Sequence, residues 1–355
     1  MLTASGSFDL QDASAFSASK LQGKYVFGFA GSGVNGAAGL AGQWNMNGNG
    51  NITAGGFDLN DGGAVVLDSP LSGTYSMTAG GSGRGTATLN GVYNSSINFA
   101  FYIVSATDIK FVETDLQPTL SGEVLRQAPS PFSAATLHGG YATILGGSDS
   151  GGFPLGAGAV FTADGAGNLS GTMDQNDDGF ISSCTFANTA YTFTSGGRFA
   201  ATVGSGCPSS FQLAMYPAAN GSVQLVNVDG NSVVSGSANR QTGAPFGPGS
   251  VSGNYALNFT GTNLSTGLEE DITGSLTADG AGGLSGTLDI NNAGSLFQAV
   301  GLSSSTYSTG ADGRGSFSLG SAAANFNLQS YQVDANTVLF LDIDQGRVLT
   351  GIAQK

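Results

Sequence analysis

The sequence predicts an all-β protein of three tandem antiparallel β-domains, each with about eight strands in meander order. Three observations carry this. The opening motif Leu21-Gln22-Gly23-Lys24-Tyr25 returns as Leu137-His138-Gly139-Gly140-Tyr141 and again as Val251-Ser252-Gly253-Asn254-Tyr255. Between copies, apolar and polar residues alternate over short runs, the period of a half-buried strand, and no stretch sustains a 3.6-residue apolar period. The 59 glycines of the 355 residues recur in Asp-Gly, Gly-Gly and Asn-rich turns, and such short connections force antiparallel neighbours.

In the third unit the strand candidates run Tyr255–Thr260, Ile272–Ala278, Leu284–Ile290, Ser305–Thr309, Arg314–Leu319, Phe326–Val333, Thr337–Asp342 and Val348–Ala353. Alternation is clearest in Ile97-Asn98-Phe99-Ala100-Phe101-Tyr102-Ile103, where Ile97, Phe99, Phe101 and Ile103 share one face. That strand recurs at Phe211–Met215 and Phe326–Leu328. Eight sequential strands suit an up-and-down barrel, with a β-sandwich as the alternative. Closure has a signal of its own. The first strand opens Gly-x-Tyr, and the last ends on Arg126, Arg240 or Lys355. If first and last strands pair, each cation can sit over Tyr25, Tyr141 or Tyr255, worth about 0.5–2 kcal/mol. At these two positions per unit the chain resembles lipocalins and avidins, in which a Gly-x-Trp opens the barrel and a basic residue packs on it. Tyr stands for Trp in all three units.

The repeat divides the chain into an N-terminal extension (1–20), a first domain (21–127), a linker (128–136), a second domain (137–241), a linker (242–250) and a third domain (251–355). The extension holds a surplus piece. Each unit ends on a short tail, at Ser121-Gly122…Arg126-Gln127, Ser235-Gly236…Arg240-Gln241 and Thr350-Gly351…Lys355. A fourth tail, Ser5-Gly6…Leu10-Gln11, stands at the front.

Composition excludes several partners. The net charge is −14 with only 10 Lys plus Arg, six of them fixed to repeat positions, so no basic patch remains for nucleic acid. No apolar run approaches the ~18–20 residues of a membrane-spanning helix, and no insertion in a membrane is expected. With 40% hydrophobic residues and 10% charged ones, the chain is not of the disordered type.

Two cysteines, Cys184 and Cys207, flank the hairpin around Ser195-Gly196 and are expected to form a disulfide, which points to export. Asp174-Gln175-Asn176-Asp177-Asp178-Gly179 matches the first half of a calcium loop, making Asp174, Asn176 and Asp178 candidate ligands; Thr185 stands where the bidentate Glu belongs. The competing reading is a hairpin loop in which Asp and Asn cap their own backbone. No other cofactor is expected. Glu269-Glu270-Asp271 reads as a solvated strand edge, and the lone His138 offers no triad. The repeated Arg84, Arg198 and Arg314 are expected to meet a nearby acid or a neighbour's carbonyls.

The run Asp164-Gly165-Ala166-Gly167-Asn168-Leu169-Ser170-Gly171-Thr172-Met173-Asp174-Gln175-Asn176, repeated from Asp279 to Asn291, is similar over the whole chain to glycine-rich tandem-repeat proteins exported by soil bacteria. So are the linkers Gln11–Ser17 and Gln127–Ser133. The resemblance implies an extracellular or cell-surface location and repetition, with no assigned activity. No polar constellation beyond turn residues and cations is seen in all three copies, so the reading is not an enzyme. It is a structural subunit of an extracellular filament or surface layer, its partner a second copy joined head to tail. The expected assembly residues are Thr3, Ser5, Gly6, Phe8 and Leu10 of the surplus strand, with Thr350 and Ile352 of the last tail. Either each unit borrows its predecessor's tail, leaving the last one unpaired, or the surplus strand pairs with a neighbouring molecule. The alternative is a monomeric string of barrels binding small ligands or glycans.

Overall fold

The computed structural model describes residue 6 and residues 8–355. Three closed barrels follow one another. The first contains β1 (Gln22–Ser32), β2 (Ala37–Asn47), β3 (Asn51–Asp61), β4 (Ala64–Met77), β5 (Arg84–Asn90), β6 (Ser96–Ser105), β7 (Asp108–Glu113) and β8 (Thr119–Arg126). The second contains β9 (His138–Asp149), β10 (Pro154–Asp164), β11 (Asn168–Asp177), β12 (Phe180–Phe193), β13 (Phe199–Val203), β14 (Phe211–Pro217), β15 (Val223–Asn227) and β16 (Ser232–Arg240). The third contains β17 (Ser252–Asn263), β18 (Leu268–Asp279), β19 (Gly283–Asn292), β20 (Ser295–Gly301), β21 (Ser305–Thr309), β22 (Arg314–Gly320), β23 (Asn325–Gln332), β24 (Thr337–Asp342) and β25 (Arg347–Gln354). Here β20 and β21 divide what is one 14-residue strand in the other barrels, and the β20 half was not legible in the sequence.

Each barrel closes on its own last strand, with β1 on β8, β9 on β16 and β17 on β25. No barrel therefore borrows its predecessor's tail, and Thr350 and Ile352 are paired on both sides, with β17 and β24. A closed barrel has no edge to leave exposed, which is the physical reason. The tyrosine–cation contact holds in two units: Arg126 lies 4.4 Å over the Tyr25 ring and the Lys355 amine 4.9 Å over Tyr255. In the second, Phe161 stacks on Tyr141 and Arg240 turns to His138 Nε2 at 2.9 Å.

The interiors are filled. In the first barrel Tyr25, Phe27, Phe29, Trp44, Phe99 and Phe111 pack around one another, with Trp44 and Phe27 stacked 4.4 Å apart. Leu257, Phe259, Phe317 and Phe340 do the same in the third. The second leaves an apolar void of about 30 Å³ among Leu145, Met173, Phe186 and Phe211. Cys184 and Cys207 form the expected disulfide, tying β12 to the loop before β14.

Candidate assembly interface

An isolated barrel buries alternate residues, and β22 keeps that rhythm. Four strands of the second and third barrels break it on the side of the preceding barrel, and β10 breaks it on the side of the next. All five residues of β15 are buried, as are five of the six in β24, and β14 and β23 are nearly as covered. Their outer faces are covered by the preceding barrel, so each barrel stacks on the next through one joint, built twice.

The joint has a charged clamp. Asp58 of β3 is wholly buried and accepts two hydrogen bonds from Arg198, at 2.7 and 2.9 Å, and a third from the Tyr216 hydroxyl. Asp174 of β11 repeats this with Arg314, at 2.8 and 2.6 Å, and with Tyr331 at 2.9 Å. A paired guanidinium–carboxylate fork is what makes such burial tolerable. Burial drives both tyrosines well above the ordinary phenol range, and the adjacent carboxylate adds to the effect, so each hydroxyl stays a donor. Arg and Tyr meet because they are register partners on adjacent strands, as Arg314 and Tyr331 are.

An amide clamp sits two residues further along the same strand. Asn60 Nδ2 points at the carbonyls of Asn227, Asp229 and Ser232, at 2.9–3.0 Å. Asn176 Nδ2 meets those of Asp342, Asp344 and Arg347 at 2.8, 3.3 and 2.8 Å. In each case Oδ1 accepts from a turn glycine, Gly63 or Gly179 at 3.0 Å, which aims the NH₂ outward. Between the clamps lies an apolar centre. Val26, Ala41, Leu125, Ala214, Tyr216 and Val226 form the first, and Ala142, Val160, Tyr331, Val333, Leu339 and Leu341 the second. Close approach needs small residues: a Cβ on Gly158 would run into the Tyr331 ring.

The linkers lock the stack. Ala128 N donates to Pro217 O at 3.0 Å and Thr242 N to Val333 O at 2.9 Å. Phe132 and Phe246 lie over Gly197 and Gly313, beside the two clamp arginines. The extension repeats this on the first barrel: Asp12 N donates to Val104 O at 2.7 Å, and Phe16 covers Gly83 beside Arg84. Residues 11–20 are thus a linker in structure as well as in sequence. Gly6 is not in a strand, Phe8 and Leu10 are fully exposed, and Thr3 and Ser5 lie outside the described residues.

Two readings of the sequence are corrected here. Asp174 and Asn176 are not poised as calcium ligands, because Arg314, Tyr331 and three carbonyls of the third barrel engage them; Asp178 sits in the adjoining turn at φ 49°. The acidic run is not a solvated edge, since Glu270 and Asp271 are buried. A recurrent polar constellation does exist. Asp58-x-Asn60, Asp174-x-Asn176 and Asp289-x-Asn291 accompany Arg84/Tyr102, Arg198/Tyr216 and Arg314/Tyr331 in register. The recurrence was readable, but it read as self-capping hairpin loops, with a calcium loop as the alternative in the second unit, because the partners lie one unit away.

The corresponding groups of the first and third barrels lack these partners among the described residues, and the extension runs between the two barrels: Asp9 lies 3.8 Å from Lys110 of the first, and Gly6 lines a cavity with Asp271 and Asp289 of the third. On the third barrel, Asp289 accepts only from Ala299 N at 2.8 Å, and Asn291 Oδ1 accepts from Gly294 at 2.9 Å while its NH₂ meets no acceptor among the described residues. On the first, Arg84 meets only Thr78, at 3.2 Å, among the described residues, and Tyr102 and Val112 are each 44% exposed.

No protein-family model matches this chain, and no curated protein matches it. Among solved structures it is similar to kievitone hydratase from Nectria haematococca, at 8% identity and TM-score 0.22, over 64% of this chain and 96% of that one. It is also similar to the vaccine antigen transferrin binding protein B from Haemophilus parasuis, at 9% identity and TM-score 0.24, over 94% of this chain and 76% of that one. Likenesses this remote carry no argument about function.

Proposed function

We propose that this chain is a structural subunit, not an enzyme, that assembles head to tail into an extracellular bacterial filament or surface layer. One observation supports the reading: a two-clamp joint is built twice within the chain, and its complementary halves recur on the first and third barrels without such partners among the described residues. A heterologous contact of this kind propagates when its rotation does not close. The disulfide and the exported-style repeat support a place outside the cell. The filled barrels favour this reading over ligand or glycan binding, which needs an open pocket with convergent polar groups.

Two routes could join molecules. Residues 3–10 align with the closing strand 119–126, so the extension could be donated to a neighbour. In the third barrel β25 already occupies that place, so donation requires its displacement. Face-on stacking needs no such step and is the favoured route. The test is negative-stain imaging and sedimentation of the 355-residue protein across a concentration series. Filaments or sheets above a threshold concentration are expected; a monomer at every concentration overturns the reading.

A further inference from the structure

The barrel interiors are filled, but the first joint is not. Between the outer walls of β1, β7 and β8 on one side and β15 and β16 on the other lies a groove of about 350 Å³. Alternation fixes what lines it. Phe27, Phe29, Leu120 and Val124 point into the first barrel, and Leu225 and Val234 into the second. Gly28, Lys110, Ser121, Glu123, Gln224 and Ser237 therefore face the groove.

The same place in the second joint is apolar. Register aligns Gly28 opposite Glu123 with Ile144 opposite Ser237, and Gln224 opposite Ser237 with Leu339 opposite Ile352. Ile144 and Ile352 pack there against the cluster that holds Leu339. In the first joint those three positions are Gly28, Ser237 and Gln224. Two side chains are shortened and one is made polar. A contact that only had to hold two barrels together would be filled here too, as its counterpart is.

Polar groups converge on the space that is left. Gln224 is 3% exposed; its Nε2 donates to Glu123 Oε1 at 2.9 Å, and Lys110 Nζ donates to Glu123 Oε2 at 2.9 Å. Gln224 Oε1 lies over Gly28, where a Cβ would run into it, and accepts from no donor among the described residues. A buried amide oxygen without a donor is costly, and a ligand hydroxyl would satisfy it. Each Glu123 oxygen keeps a lone pair for a further donor.

Charge selects the ligand. Lys110 Nζ lies 2.9 Å from Glu123, 3.2 Å from Asp108 and 3.8 Å from Asp9. The surplus acid repels an anion, and the amine keeps a metal ion from Glu123. An apolar ligand would strand the amide and the carboxylate. What fits is neutral and carries hydroxyls that both donate and accept. We propose that the groove between the first and second barrels binds a neutral saccharide, with Glu123 and Gln224 Oε1 accepting from ring hydroxyls and Lys110 donating to a ring oxygen substituent. The site would let a structural subunit hold a polysaccharide, and it does not depend on head-to-tail assembly.

The experiment is saturation-transfer NMR on the full-length protein, with maltose, cellobiose and chitobiose as probes at up to about 10 mM. Transfer to at least one of them is expected. Longer chains of that sugar then separate two sources: affinity that rises with length marks a polymer, and constant affinity a free sugar. The double variant Gln224→Leu, Ser237→Ile gives the first joint the residues of the second. It should melt no earlier than the parent and lose the signal. Glu123→Gln keeps the shape without the charge and should weaken binding at least about tenfold. No transfer to any probe overturns the inference. So does transfer that survives the filled joint, or parental affinity in folded Glu123→Gln. Each of these results leaves the head-to-tail reading untouched.

Discussion

Asp174 and Arg314 lie 140 residues apart in the chain and 2.6 Å apart in space, and Asp58 and Arg198 repeat the relationship at the same separation of 140 residues. A unit is shorter than that, so the pair necessarily joins one barrel to the next. This makes the stack a property of the repeat.

The first prediction concerns the cost of breaking this pair. Arg314→Ala leaves Asp174 buried with only the Tyr331 hydroxyl as a polar side-chain partner. Arg314 is partly exposed, so the expected loss is below the full buried-pair value, at about 2–3 kcal/mol. Calorimetry should show the third barrel melting earlier and apart from the second. Arg314→Lys should recover only part of the loss, because an ammonium cannot form the fork. An unchanged single transition would count against the clamp.

Asn176 gives a second test through sign. Asn176→Asp places carboxylate oxygens against three carbonyls and should destabilise more than Asn176→Ala, which merely strands them, at about 1–3 kcal/mol. A capping role confined to its own turn predicts the reverse order, since Asp caps as well as Asn does. Urea titration of the two variants decides between them.

A third prediction is a pH dependence in the third barrel. Burial, more than any charge nearby, pushes the Asp342 carboxyl up to about 8. Asp344 and Glu270 add to the rise, while Arg347 and a hydrogen bond from Asp344 N oppose it. The folded state therefore holds a proton that the unfolded state releases near pH 4, so stability falls as pH rises from about 4 to about 8 and is flat above. The span is on the order of a few kcal/mol. The second barrel has Asn227 at this position, its NH₂ donating to Ser232 O at 2.8 Å. Asp342→Asn should flatten the profile and raise the melting temperature at pH 8; a parental slope in the variant would assign the dependence to Glu270.

The disulfide closes a loop with a sequence separation of 23 residues. Its loss in the double variant Cys184→Ser, Cys207→Ser should cost about 3 kcal/mol on the chain-entropy scale, confined to the second barrel. Thermal melts with and without reductant measure it directly.

Deleting residues 1–10 separates the two routes of assembly. Face-on stacking predicts polymers at an unchanged or lower threshold concentration, because the linker from Gln11 onward is retained. Strand donation predicts their loss.

The sequence by itself determined three all-β domains in meander order and favoured a barrel over a sandwich; closure was settled by the strand pairing. Alternation, glycine turns and the threefold motif dictate eight-stranded meanders, because period and turn chemistry act within a few residues of each strand. The Tyr25–Arg126 and Tyr255–Lys355 contacts and the Cys184–Cys207 bond were legible for the same reason: each follows once neighbouring strands are paired. Only the tertiary structure decided what Asp58, Asn60, Asp174 and Asn176 do. Read along the chain, all four sit at a hairpin whose turn Asn60 or Asn176 caps, so a self-capping loop was the favoured reading and a half-formed calcium loop the alternative in the second unit. Their partners belong to another barrel, and one chain fold looks the same from within whether or not its outer face is covered. What reveals the joint is burial on both faces of β15 and β24, and that burial exists only once the barrels are stacked.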